Sequence, residues 1–341
     1  KSAGGMLHPA RMGTGPRCAR SSGCVTFQPC RPFPSARQTM QQASMQRWQN
    51  LVAYSSASIA MPNEGNEPAE VRPMQGAQTA AAPSKATELP PAGLIDKIRA
   101  TAFFLWSLLL AVPLFATMLA MAPFVVAFDK FRRLAQHFVN NLWAMASTWP
   151  FYGVEIEGRE NLPPPERGVV YVANHQSFLD IYSLFHLQRP FKFISKTSNF
   201  IIPIVGWSMF LTGHVMLNRM DRRSQMECLK DCGALLAKSA PVLFFPEGTR
   251  SRTRVMAGFK KGAFSVAVKA GVDVVPITLI GTGDLMPSGG EGAMRSGRVR
   301  IVVHPAIPTK GRDASKVCDE ARIAIASALP PELVGSASVM A

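Results

Sequence analysis

Hydrophobic and polar positions change rhythm several times along the chain. Residues 101–128 form an apolar run of 28 residues without a charge, bounded by Lys97 and Arg99 before it and by Asp129, Lys130, Arg132 and Arg133 after it. As straight helix the run would span about 42 Å, longer than a hydrocarbon core of roughly 30 Å. That length and purity predict a membrane-associated segment rather than a soluble surface helix. Pro113 and Pro123 interrupt it, which predicts either one kinked, tilted span or a shallow re-entrant helical hairpin. Next, Phe131, Leu134, Phe138, Leu142, Met145 and Trp149 recur every three or four residues. This spacing predicts an amphipathic helix that lies at a membrane surface or packs on a soluble domain, with Trp143 and Trp149 suited to the headgroup level.

Beyond residue 150 the rhythm alternates between strand and helix. Strands are predicted over 154–157, 169–172, 191–194, 215–219, 241–245, 272–279 and 298–304, from runs of β-branched and aromatic residues. Helices are predicted over 178–187, 221–239, 262–270 and 314–329. Such alternation predicts an α/β domain with a mixed, mostly parallel sheet covered by helices. Residues 200–210 are apolar and read as core or as the lining of an apolar tunnel. No glycine-rich fingerprint follows a strand, so a nucleotide-binding fold has no support.

Composition changes the reading of the first third. The formal net charge is +15, with 37 Lys and Arg against 22 Asp and Glu. Residues 1–63 carry seven basic residues and no acidic one, while residues 101–341 have a basic surplus of nine. The first segment, acid-poor and arginine-containing, reads as an organellar transit peptide. Residues 64–95 are rich in Pro, Ala, Glu and Gln and read as a linker. The expected order is therefore transit peptide (1–63), linker (64–95), membrane-associated helices (96–150), catalytic domain (151–330) and a polar tail (331–341). With half the charge excess in the leader and no reading motif, a nucleic-acid partner is not expected. The six cysteines contain no Cys-x-x-Cys pair, which predicts free thiols and no metal.

Candidate chemistry begins where the apolar run at 169–172 ends, in Asn174-His175-Gln176-Ser177-Phe178-Leu179-Asp180. A histidine at a strand end presents its ring to a cleft, and a carboxylate five residues on, inside the first helical turn, can hold one ring nitrogen. His175 then acts as general base with Asp180 as its orienting acid, activating a hydroxyl that belongs to the substrate. The rival reading of Ser177-Phe178-Leu179-Asp180 is a helix capping box. A second turn, Phe245-Pro246-Glu247-Gly248-Thr249-Arg250-Ser251, combines a glycine that admits a ligand to the backbone with a fixed positive charge. Glu247 is expected there to orient Arg250 or to bond a substrate hydroxyl.

Taken together, these two stretches resemble the paired signature of the glycerolipid acyltransferases. Phe191-Lys192-Phe193-Ile194-Ser195-Lys196 and Gly258-Phe259-Lys260-Lys261-Gly262-Ala263-Phe264 are similar to the plastid type that acylates lysophosphatidic acid. The resemblance runs from about residue 100 to residue 328. It implies transfer of an acyl chain from an acyl thioester, on carrier protein or coenzyme A, to the sn-2 hydroxyl of lysophosphatidic acid. No metal and no other cofactor is implied. The expected phosphate ligands are Lys196, Arg219 and Arg250, with Glu247, Gly248 and Thr249 also at the substrate. His214 and Asn218 depart from the family's pattern around Gly213 and Arg219. What stabilises an oxyanion is not legible in the sequence; backbone N–H groups at the motif helix are one possibility. The resemblance also implies a chloroplast membrane, the inner envelope in particular. Two alternatives remain at this stage: a sister enzyme acting on glycerol-3-phosphate or another lysolipid, and a catalytically silent protein that binds anionic lipid.

Overall fold

A computed structural model describes residues 89–335, so the expectations for the leader, most of the linker and the last residues fall outside the described residues. The apolar run lies in one helix, α1 (Leu94–Phe128), which continues through both Pro113 and Pro123. At about 1.5 Å per residue its 35 residues reach roughly 52 Å. The expected hairpin within 101–128 is therefore not formed. The chain turns at 129–133 instead, where the Asp129 carboxylate accepts the Leu134 N–H (2.7 Å) and Arg133 adopts a left-handed φ of 54°. Helix α2 (Leu134–Thr148) packs back along α1.

The stripe on α2 faces away from the protein. Phe138 is 68% exposed and Trp149 83%, and Leu134, Leu142 and Met145 are exposed too. The buried face is largely polar: Gln136, His137, Asn140, Ser147 and Thr148. Each of these residues bonds through its side chain to a backbone or side-chain group of its own or a neighbouring element. Gln136 donates to the Met118 carbonyl (2.9 Å), and Asn140 donates to the Thr212 hydroxyl (2.8 Å). Trp143 does not sit outside with Trp149; its indole N–H reaches the Ser107 carbonyl at 3.0 Å and its ring lies 4.7 Å from that of Tyr182. Small residues of α1, Ala100, Ser107 and Ala111, are buried and let the helices approach closely. Most of α1 otherwise stays uncovered, with only 17% of its most apolar window buried.

A seven-stranded sheet carries the catalytic domain. Its strands are β1 (Gly153–Glu157), β2 (Val170–Ala173), β3 (Lys192–Lys196), β4 (Val215–Leu217), β5 (Val242–Phe244), β6 (Val274–Ile280) and β7 (Arg298–Val303), in the order β1-β7-β6-β2-β5-β3-β4. Every pairing is parallel except β6 with β7. Helices α3 (Leu179–Phe185), α4 (Val205–Thr212), α5 (Arg222–Leu236), α6 (Gly262–Ala270), the short α7 (Thr282–Leu285) and α8 (Ala314–Ala328) complete the order. Strand β2 is buried on both faces. Tyr171 and Ala173 join the core beneath α1 and α3, while Val170 and Val172 join the core beneath α5, α6 and α8. Alternate side chains of one strand thus feed two apolar layers, as a central parallel strand requires. Cys228, Cys232 and Cys318 are buried free thiols in the second layer.

One buried cation joins the helical pair to the sheet. Lys192, fully buried on β3, donates from Nζ to the carbonyls of Arg132 (2.7 Å) and Thr212 (2.7 Å) and meets His137 Nε2 at 2.9 Å. Burial, and then the charge of Arg133, push its pKa well below the ordinary lysine value. Charge on Lys192 is met by carbonyl dipoles rather than by an ion pair.

Candidate active site

The parallel register brings the two motif turns to one rim. Val172 of β2 pairs with Phe244 of β5, so His175 and Glu247 emerge at equal height beyond the C-terminal ends of adjacent strands. Main-chain bonds then lock the turns together, with the Ser251 N–H donating to the His175 carbonyl at 2.8 Å. On the other side of β2, Asn174 replaces a ladder contact with its side chain, donating to the Leu279 carbonyl (2.9 Å) and accepting the Leu279 N–H (2.7 Å). This polar residue at the end of an apolar strand had no assigned role in the sequence. It fixes the residue before His175 to β6.

The imidazole of His175 is held in one orientation. Its Nδ1 lies 2.8 Å from Asp180 Oδ2, and its ring stacks on Phe245 with centroids 3.8 Å apart and planes 14° apart. The same Oδ2 accepts the N–H groups of Gln176 (2.8 Å) and Ser177 (2.9 Å), so it faces Nδ1 as an acceptor. Nδ1 must then carry the proton, and Nε2 has the lone pair. Among the described residues Nε2 has no hydrogen-bond partner, and 12% of the side chain is exposed. The arrangement is a base with one open nitrogen, backed by a fully buried carboxylate.

The capping reading holds at the same time. Ser177 Oγ accepts the Leu179 N–H (3.1 Å) and donates to the Met286 carbonyl (2.6 Å), while Asp180 accepts the Ser177 N–H. One carboxylate therefore caps α3 and orients the imidazole. The amides of His175, Gln176, Ser177 and Leu179 are all occupied by side chains. These four amides are therefore not free to act as oxyanion donors.

Glu247 also departs from expectation. It neither pairs with Arg250 nor opens to a ligand: Oε1 accepts the His175 N–H (2.7 Å), Oε2 accepts the Ala257 N–H (2.9 Å), and the residue is 5% exposed. Burial pushes its carboxyl up to about 7, against the lowering effect of the two N–H donors. Its role is to clamp the backbone of His175 to that of Ala257. Arg250 pairs instead with Glu291, at 2.8 Å between Nη1 and Oε1.

The predicted cations gather around the second turn. Lys196, the last residue of β3, pairs in register with Leu217 of β4, so Arg219 lies just beyond it on the same rim. The predicted strand ending in arginine stops earlier, at Leu217. Arg219 is depressed in pKa by burial and then by the charge of Arg250, which places the two guanidinium groups within each other's field. Gly248 has a φ of +77°, and a Cβ there would lie 2.7 Å from Lys260 Nζ. A side chain at 248 would be strained and would displace that ammonium group. Thr249 is exposed beside them. In the sequence Lys260 is indistinguishable from Arg252, Arg254 and Lys261; only the fold folds it over the glycine.

The acyltransferase family profile matches residues 153–280. The chain is 63% identical over 314 residues to a 1-acyl-sn-glycerol-3-phosphate acyltransferase of Chlamydomonas reinhardtii, covering 92% of this chain and 86% of that one. It is 50% identical over 250 residues to the chloroplastic enzyme of that name from Arabidopsis thaliana, covering 73% of this chain and 70% of the relative. Among solved structures, the 1-acyl-sn-glycerophosphate acyltransferase of Thermotoga maritima matches with a TM-score of 0.56 and 28% identity, over 67% of this chain and 94% of that one. With this likeness and a base, its carboxylate and a cationic turn on one sheet edge, the chain belongs to the glycerolipid acyltransferases, in the plastid 1-acyl-sn-glycerol-3-phosphate acyltransferase type.

Proposed function

We propose that this chain transfers an acyl group from a thioester, on carrier protein or coenzyme A, to the sn-2 hydroxyl of lysophosphatidic acid, giving phosphatidic acid. The observation that carries the reading is the open Nε2 of an Asp180-held imidazole, on the rim that also bears Lys196, Arg219 and Arg250. Nε2 takes the proton of the acceptor hydroxyl as its oxygen attacks the thioester carbonyl, and returns a proton to the departing thiolate. Asp180 stabilises the imidazolium that exists between those steps. The three cations hold the phosphate, Arg250 and Arg219 by planar forks suited to its oxygens. Exposed apolar faces of α1 and α2 support an enzyme associated with a membrane, where lysophosphatidic and phosphatidic acid reside; the relatives' names support the plastid, and we assign the inner envelope.

His175→Ala tests the mechanism cleanly, because the backbone N–H that bonds Glu247 and the carbonyl that bonds Ser251 both survive the change. Turnover should fall by about 100- to 10,000-fold with folding and membrane association retained. Near-normal turnover would remove His175 from the mechanism. A panel of glycerol-3-phosphate, lysophosphatidic acid and other lysolipids, offered to purified protein, identifies the acceptor.

A further inference from the structure

Among the cations assigned to the headgroup, Arg250 is already met by a carboxylate of the protein. Arg250 Nη1 donates to Glu291 Oε1 at 2.8 Å, with the side chains 37% and 34% exposed. Lys260 Nζ lies over Gly248, and Arg219 lies within the field of Arg250. Among the described residues Lys196, Arg219 and Lys260 form no ion pair. Glu291 comes from the Ser288-Gly289-Gly290-Glu291-Gly292 loop, remote in sequence from Arg250. Gly289 takes a φ of 90°, and space around Gly289 and Gly292 is open. Apart from Arg250, the Glu291 carboxylate meets backbone N–H groups of Gly289 and of Glu291 itself, so its other partners lie within its own loop.

Chemistry gives such a carboxylate a purpose. Acyl transfer makes an ester at the hydroxyl and leaves the phosphate untouched, so acceptor and product offer the same headgroup to the same cations. A cluster that captures the acceptor by its phosphate would hold the product equally well. A tethered anion relieves this, because it takes over the arginine each time a phosphate leaves. On the reading of Arg250 as a phosphate ligand, on which this inference rests, we propose that Glu291 is an internal competitor for the headgroup site. It pairs with Arg250 in the empty enzyme, gives way to the incoming phosphate, and re-forms the pair as phosphatidic acid departs. A phosphomonoester, with a charge of about −1.5 to −2 at pH 7, displaces a carboxylate of unit charge.

The test compares wild type, Glu291→Gln and Arg250→Ala as purified full-length protein. Three constants are measured: the inhibition constant of inorganic phosphate, the KM for lysophosphatidic acid, and the product-inhibition constant of phosphatidic acid. Glu291→Gln should lower all three by one common factor of about fivefold, the size set by a partly exposed ion pair. Arg250→Ala should raise all three. Damage to the loop would raise them in Glu291→Gln, so a gain of affinity is not a structural side effect. If Arg250→Ala raises the constants while Glu291→Gln leaves them unchanged or raises them, the competitor role is overturned and Arg250 keeps its ligand role. A Glu291→Gln effect on KM without a matching effect on product inhibition also overturns it. If Arg250→Ala changes none of the three, Arg250 is not in the headgroup site and the proposal falls with that reading.

Discussion

Asp180→Asn separates the two roles that one carboxylate plays at the rim. Oδ2 accepts from His175 Nδ1, Gln176 N–H and Ser177 N–H, whereas Oδ1 is buried without a partner. An asparagine oxygen placed at Oδ2 preserves all three contacts, and its NH2 falls where Oδ1 was, with no acceptor. One unpartnered buried atom replaces another, but the charge-assisted bonds from the Gln176 and Ser177 N–H groups become neutral ones, so stability should drop by about 1–3 kcal/mol. Catalysis loses more. At 2.8 Å and an effective dielectric near 20, the attraction between carboxylate and imidazolium is roughly 6 kcal/mol. Because a neutral hydrogen bond remains, kcat should fall by about 1,000- to 10,000-fold rather than by the full amount. Ser177→Ala is the control: it removes the cap on Leu179 and the bond to Met286, at about 1–2 kcal/mol of stability, but leaves the imidazole held. Denaturation curves and steady-state kinetics on both variants decide the matter. Turnover of Asp180→Asn within tenfold of wild type would reduce Asp180 to a helix cap.

Glu247→Gln replaces one of two acceptors with a donor facing an N–H, so kcat should fall at least tenfold with KM for both substrates little changed; an effect on acceptor KM alone would mean Glu247 touches substrate. Since burial raises the folded-state carboxyl of Glu247 to about 7, the folded protein binds this proton more tightly than the unfolded chain. Stability from this group is present below the unfolded value of about 4.5 and is lost as pH rises through 7, a span worth roughly 3 kcal/mol that Glu247→Gln should abolish in denaturation at pH 5 and pH 8. Lys192→Met keeps the apolar stem but orphans the Arg132 and Thr212 carbonyls, and should lower stability by about 2–4 kcal/mol; an unchanged melting temperature would contradict the bridging role. Phe138→Glu on the outward face of α2 should weaken vesicle sedimentation of the protein by at least about tenfold, and unaltered binding would mean that stripe does not meet lipid.

What the sequence discloses and what it hides divide along physical lines. The strand-to-turn transitions at 173 and 245 are legible because a buried parallel strand needs an unbroken apolar run, and the motif begins where that run stops. The pairing of His175 with Asp180 is legible because it is local: five residues fix it. The long apolar helix is legible from composition, but its path through Pro113 and Pro123 is not, since tertiary and lipid surroundings decide whether a proline ends a helix or is carried inside it. The α2 stripe has the period of a helix that packs on a domain. Its outward orientation becomes evident only once Gln136, His137 and Asn140 are seen to find partners in α1, β3 and α4.

Glu247 and Glu291 show the limit most sharply, because in each case the nearest opposite charge in sequence is the wrong partner. A carboxylate three residues before an arginine invites an ion pair between them. Instead the left-handed turn at Gly248 lets the chain reverse, with Glu247 buried beneath the rim and Arg250 part-exposed on it. The inward carboxylate finds two main-chain N–H groups, and the outward guanidinium finds a loop 41 residues on. Those long-range choices set the electrostatics of the site. Had Glu247 neutralised Arg250, the backbone of His175 would lack its clamp. With Glu291 in that place, Arg250 is met from a separate loop and the His175 clamp is left intact.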